Sequence, residues 1–396
     1  MIKDKREQVN KAFSAEKYDK IKDYFQKNEP YIARFRISET PIFLDKQFGE
    51  KLHSACESII DQIESGGIVT PKDVPSQLDV PRDNSRYHFL AMDFGICENQ
   101  NGELEPQLIE LQAFPSLFYY QMHLADQYQE NFQLDDSLSV LPNQKFDKEK
   151  YKDMMHDIIV ADVPEENVIL MEINPKQQKT AIDFLLTQDH LGIEIVNLSE
   201  IWNEGDDLYY IKEGVQTPIY RIYNRVIFDE LENTKDYNPQ FKLTQCSNME
   251  WITHPNWFFK ISKTLLPRLK HEFVPKAFFA NEFPATESLN DYVLKPLFSF
   301  AGKGVNIHPE QKDLDELENP ENYILQQKVQ YAAIFQDPDG EMAKAEIRML
   351  YIWPKNEKRP VPGINLVRMT KSEKVNVDHL GQEKIWTGSS IAFFES

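Results

Sequence analysis

The sequence predicts an α/β fold with α+β character, and three observations predict it. A helical opening gives way to a period-two hairpin over 86–118, and a strand–helix–strand unit spans 168–196. Late in the chain a strand, Tyr292-Val293-Leu294, ends in Lys295, and a small-residue loop follows from Ser299 to Val305. The 396 residues suffice for two or three domains, and 41% hydrophobic with 12% aromatic content describes a globular chain.

Residues 4–65 read as helices interrupted near Pro30 and Pro41, with Leu52, Cys56, Ile59, Ile60 and Ile63 at helical spacing. Phe89 to Ile96 has the pattern of a buried strand. Asn99-Gln100-Asn101-Gly102 supplies an Asn-Gly turn, and Gln107 to Leu111 returns as the second strand of the hairpin. Val168 to Ile173, the helix from Lys176 to Leu186, and Leu191 to Val196 make a βαβ crossover. A hairpin over 208–220 follows and leads into Arg221 and Arg225. Residues 256–271 read as helical, 290–352 as strands with one acidic helix near Leu314, and 363–394 as further strand-like runs. Polar linkers near 133–150 and 230–250 divide the chain into 1–150, 151–245 and 246–396.

A net charge of −20, from 44 basic and 64 acidic residues, excludes broad binding to nucleic acid or anionic lipid but leaves room for a local basic pocket. Cys56, Cys97 and Cys246 are widely separated, so neither a disulfide framework nor a structural zinc site is expected. The charged start MIKDKREQVNKAF has no apolar leader core, and no run has the length of a membrane span. A cytoplasmic protein is the expectation.

Two constellations carry chemistry. With only 14 glycines in the chain, Gly302 and Gly304 close together answer a local backbone demand. Such a loop lays backbone N–H groups against phosphate oxygens, and a strand-end lysine, Lys295, supplies a point charge. The bland alternative is a glycine turn beside an exposed lysine. The loop lacks the spacing of a Walker A motif. In the hairpin, Glu110 and Gln112 are two apart and share a face, with Asp93 across the turn. Three oxygen donors converging there suit Mg²⁺ held with nucleotide phosphates; the alternative is a solvated polar face. Arg368 with Lys371 either neutralises a phosphoryl group or forms a strand-end pair. His88, His254 and His379 read as structural, and no nucleophile motif appears.

The run Asp93-Phe94 … Leu108-Ile109-Glu110-Leu111-Gln112-Ala113-Phe114-Pro115 resembles the metal strands of ATP-grasp ligases. Its place far ahead of Lys295 is similar to the circularly permuted ATP-grasp group of the glutathionylspermidine synthase type. In that group a Rossmann-like βαβ domain separates the two parts. The resemblance implies a permuted ATP-grasp fold with ATP and Mg²⁺ as cofactors. It assigns Asp93, Glu110 and Gln112 to the metal, and Lys263, Lys295, Ser299, Gly302, Lys303 and Gly304 to the phosphates. It places Gln326, Gln327, Lys328 and Val329 along adenine, with Glu346 and Arg348 facing ribose and phosphates. Arg348, Arg368 and Arg221 are the implied catalytic arginines. The implied activity is a carboxylate–amine ligase acting through an acyl phosphate on a small-molecule carboxylate and amine. A kinase acting on a hydroxyl, or a nucleotide-binding scaffold with a decayed metal site, are the alternatives. Gln112 departs from the family's asparagine. Met171-Glu172-Ile173-Asn174-Pro175 matches the family's metal motif more literally, but it opens the βαβ crossover and is set aside on that ground.

Overall fold

The fold was obtained as a computed structural model, which describes residues 1–70, 73–83, 86–233, 240–245, 247–298, 304–337, 340–371 and 386–395. Its centre is a six-stranded sheet in the order Gly388–Ser390, Val361–Thr370, Met342–Ile352, Phe89–Glu98, Leu104–Gln112. Phe335–Gln336 pairs with the Met342–Ile352 strand beside this path, and every pairing is antiparallel. The expected hairpin is therefore present, but its first strand also pairs with a strand from late in the chain. Register places Asp93 opposite both Glu110 and Arg348, and Glu346 opposite both Gly95 and Arg368. The Phe89–Glu98 strand is buried along its whole length except Glu98, as expected of a central strand.

The helix Lys46–Glu64 packs on the Leu104–Gln112 strand through the stripe Phe48, Leu52, Cys56, Ile59, Ile60 and Ile63. Asp45 caps it by accepting from Phe48 N at 2.9 Å. A small antiparallel sheet, ordered Ala277–Phe279, Tyr323–Gln327, Tyr292–Pro296, carries the late strand that ends in the lysine.

The four-stranded parallel sheet runs Glu250–Ile252, Arg221–Asn224, Val168–Glu172, Glu194–Asn197. Helix Ala181–Leu191 makes the crossover between its last two strands. It starts five residues later than the sequence suggests. Asn174 is left-handed at φ 46°, and Pro175–Gln177 forms a separate single turn. The 256–271 segment is helical only at Trp257–Lys260. Ser262 then caps a new turn at Lys263–Leu265, and Pro267 has no N–H with which to extend it. The stretch near 133–150 is packed rather than loose, with Leu138, Val140 and Leu141 buried. A further antiparallel arm spans Trp202–Ile219, and Ala392–Glu395 pairs with Ile42–Leu44 and Leu138–Ser139. Among the described residues no helix is long and apolar enough to cross a membrane.

Asn365, fully buried, ties the large sheet to this last sheet. Its Nδ2 donates to Val140 O at 2.7 Å and Ala392 O at 2.8 Å, and its Oδ1 accepts from Ala392 N at 2.8 Å. Asn365→Leu strands these backbone groups and is expected to cost about 2–4 kcal/mol in denaturant unfolding. A loss below about 1 kcal/mol, near the net worth of one hydrogen bond, would refute this role.

Candidate functional site

A pleated strand sends alternate residues to one face. Asp93 on one strand, Glu110 and Gln112 on its partner, Glu346 and Arg348 on the next, and Arg368 beyond therefore share one face of the large sheet. Asp93 is buried and lies between two guanidinium groups. Arg348 Nε donates to its Oδ1 at 2.5 Å and Arg348 NH2 to its Oδ2 at 2.7 Å, while Arg368 NH2 reaches Oδ2 at 2.5 Å. Burial works to raise the Asp93 carboxyl, but Arg348 and then Arg368 outweigh it and hold it below the usual carboxylate range. The Gln112 amide, turned with Oε1 toward Arg348, accepts from NH2 at 2.9 Å and NH1 at 3.1 Å.

Glu346 accepts from the Tyr331 hydroxyl and lies 3.7 Å from Arg368 NH1. Burial raises its carboxyl despite the arginine. Gly95, paired with Glu346, makes room for this contact, because a Cβ there would stand 2.9 Å from Tyr331 Cε1. A lone glycine inside an apolar strand run signals a close approach, and Phe94-Gly95-Ile96 carried that signal unread. Tyr331 itself had none.

Two lysines approach this face from outside the sheet. Lys263, 4% exposed, sits on the capped turn with Nζ 3.7 Å from Glu110 Oε2. Lys295, buried at its strand end, donates to Gln326 Oε1 at 2.6 Å and Ile109 O at 3.1 Å. Gln326 in turn donates to Leu108 O at 2.9 Å. These carbonyls are available because the Asp93–Glu110 hairpin is bulged there: Phe94 pairs with Leu108, and Ile109 is the extra residue. Burial lowers the Lys295 ammonium to about 8, against the pull of Glu110.

The structure thus brings together Asp93, Glu110, Gln112, Lys263, Lys295, Gln326, Glu346, Arg348 and Arg368. Gln327 is exposed, and Lys328 Nζ donates to Asn290 O at 2.6 Å. Gln327 ends the Tyr323–Gln327 strand, and Lys328 and half-buried Val329 follow it. Gly304 has φ 73°, a conformation suited to glycine, and a Cβ there would meet Pro296 Cγ at 2.8 Å. Ser299, Gly302 and Lys303 lie outside the described residues. Arg221 does not join the cluster. It pairs with Glu250 and donates to the carbonyls of Ile158 and Ile159, which ties the parallel sheet to a helix end. Lys371 likewise pairs with Asp337 and Glu341.

Asp93, Glu110 and Gln112 were expected to ligate a metal. In this arrangement they do not fit one: both Asp93 oxygens accept from arginine, and the Gln112 oxygen faces Arg348. Among the described residues no group of three His, Cys, Asp or Glu side chains is placed to hold an ion.

A second polar cluster lies at the carboxyl ends of the parallel strands, where the order reverses between Val168–Glu172 and Arg221–Asn224. Open parallel sheets bind ligands at such a point. Glu172 is buried there and its carboxyl is pushed well up, by burial first and then by Glu230. Arg225 NH1 donates to Pro115 O at 2.6 Å, so this sheet grips the chain just after Gln112. Arg225 Nε and Asn224 Nδ2 are buried with no protein acceptor. The Glu172-Ile173-Asn174-Pro175 run does open the expected βαβ crossover, at the end of the Val168–Glu172 strand.

Asp93 ties stability to acidity. Its carboxyl titrates lower in the folded protein, so its contribution is complete above the ordinary aspartate range near about 4 and is lost as pH falls through the folded value. Arg348→Gln raises that folded value, so the variant is expected to lose stability at higher pH than the parent. At neutral pH it costs up to about 3–5 kcal/mol. Urea unfolding from neutral to acid pH measures both, and parallel curves would refute the pairing.

No family model matches the sequence, and no curated protein matches it. A similarity appears among solved structures. A glutathione synthetase-like effector from Globodera pallida, in its apo form, superposes with a TM-score of 0.58 at 11% identity, covering 90% of this chain and 94% of that one. The chain therefore shares, over nearly all of its length, the overall fold of a glutathione synthetase-like protein.

Proposed function

We propose that the protein is an ATP-dependent carboxylate–amine ligase of the circularly permuted ATP-grasp kind. One observation carries the reading: two buried lysines, Lys263 and Lys295, converge on a sheet face already lined with Asp93, Glu110, Glu346, Arg348 and Arg368. A protein of net charge −20 that gathers four cations in one place, two of them buried lysines, has the makings of an anion site. The glutathione synthetase-like fold adds to this reading.

In the proposed reaction the γ-phosphoryl group of ATP passes to a substrate carboxylate, and an amine attacks the acyl phosphate and releases phosphate. Lys263 and Lys295 hold the nucleotide phosphates. Arg348 and Arg368 offset the charge that spreads over the transferring group. Gln326 to Val329 run along the adenine edge. The acceptor lies toward Asn224 and Arg225, whose Nδ2 and Nε are buried without a protein acceptor and supply polar contacts. Mg²⁺, which the resemblance implies for the family, takes no step here, because, of its expected ligands, Asp93 and Gln112 are engaged by arginine and Glu110 lies beside Lys263.

A second reading, nucleotide binding without turnover, is favoured by that same engagement of Asp93. Incubation with ATP, a divalent cation and pooled carboxylic acids and amines separates the two. ADP that appears only when acid and amine are both present supports the ligase. ADP formed with a hydroxyl compound alone identifies a kinase instead, and binding without ADP supports the second reading.

Lys295 makes the site sensitive to pH. Nucleotide affinity is expected to fall as pH rises through about 8, where its ammonium is lost. Lys295→Arg should move that fall to higher pH, and Lys295→Ala should weaken binding by about 2–4 kcal/mol in calorimetry. A flat pH profile in the parent would refute a phosphate-binding role for Lys295.

A further inference from the structure

We infer that Arg348 and Arg368 take the place of a divalent cation in this site, so that it binds a polyphosphate free of metal. The inference rests on the nucleotide reading above and goes beyond it. A hard cation needs carboxylate oxygens with open lone pairs and no fixed cation beside them. Here both oxygens of Asp93 accept from guanidinium N–H groups at 2.5 to 2.7 Å. Gln112 faces Arg348 as well, and Glu346 is shared by Tyr331 and Arg368. Glu110 stands 3.7 Å from Lys263. An ion seated on Asp93 would meet two positive charges that cannot be deprotonated.

Charge counting points the same way. Lys263, Lys295, Arg348 and Arg368 are four cations against the carboxylates of Asp93, Glu110 and Glu346, which leaves one positive charge in excess before any ligand enters. Lys295 hydrogen-bonds to neutral acceptors, the Gln326 amide and the Ile109 carbonyl, so its charge is not spent on a carboxylate. The fork of Arg348 is held at two points by Asp93, and the second arginine crosses from the neighbouring strand. Both arginines share the sheet face on which the lysines converge. Of the five N–H donors of each guanidinium, those not spent on Asp93 or Gln112 can meet phosphate oxygens directly, which is the work a bridging ion otherwise does.

The test is calorimetry of the full chain with ATP, once in excess EDTA and once in excess MgCl₂. Affinities within about threefold of each other are expected. Binding that appears only with MgCl₂ overturns the inference and leaves the nucleotide reading standing. No binding under either condition overturns both. MnCl₂ titrated without nucleotide should give no site, and a stoichiometric site lost in Asp93→Asn overturns the inference. Arg348→Gln and Arg368→Gln should each weaken ATP in EDTA by about tenfold or more, the scale of one charged contact. If either variant fails to fold by circular dichroism, Arg348→Lys and Arg368→Lys serve instead, keeping charge but losing the fork. Affinities unchanged in folded variants overturn the proposal.

Discussion

A carboxylate buried in the middle of a sheet must find its counter-charge in the protein or remain neutral, and Asp93 is such a group. It sits on an interior strand, with Arg348 on the adjoining strand and Arg368 one strand further. An unpaired charge in this position would cost several kcal/mol, so the three strands are held to the one register that pairs it. A slip of a single residue would turn Asp93, Glu346 and Arg368 to the opposite face. Sheet register and site electrostatics are therefore one constraint, and the helix Lys46–Glu64 with its apolar stripe covers the sheet in the same alignment.

The bulge beside Asp93 is the second point on which the architecture turns. By withdrawing Ile109 from the ladder it offers two carbonyls sideways, and the small sheet docks on them through Lys295 and Gln326. The lysine that joins the two sheets is also buried, and desolvation lowers its ammonium to about 8. Any anion that draws Lys295 away from these acceptors changes how the small sheet is held. Ligand occupancy and the contact between the sheets are then linked through one side chain.

The parallel sheet meets the same region from another side. Arg225, at a strand end, holds the carbonyls of Phe114 and Pro115, immediately after Gln112. Asp183 accepts from the amides of Leu117 at 2.7 Å and Tyr120 at 2.9 Å, which anchors the start of the next helix. The segment 113–120 thus leads from the arginine-lined face to the reversal point of the parallel sheet, where Glu172 stays buried with its carboxyl raised. Polar groups without protein acceptors gather at that reversal point.

The sequence by itself determined the elements whose cause is local. Alternation over 89–112 with an Asn-Gly turn dictates a hairpin, the apolar stripe over 52–63 dictates a helix, and the strand before Lys295 is set by its own side chains. It also singled out Asp93, Glu110, Lys295 and Arg368 from their own surroundings, whereas Lys263, Glu346 and Arg348 entered only through the family resemblance. What these residues do to one another was decided only by tertiary structure. No spacing rule states that Arg348 faces Asp93, since strand pairing across such a separation depends on the whole sheet. Asp93, Glu110 and Gln112 read as metal ligands while their cationic neighbours were out of view; with register known, Asp93 and Gln112 face arginine and Glu110 faces Lys263. Arg221 looked available until Glu250 and two helix-end carbonyls were placed around it. Glu172 looked incidental until the strand order put it at a reversal point. The physical reason is common to all of these: periodicity is a property of neighbours in the chain, whereas counter-charge, burial and free lone pairs belong to neighbours in space.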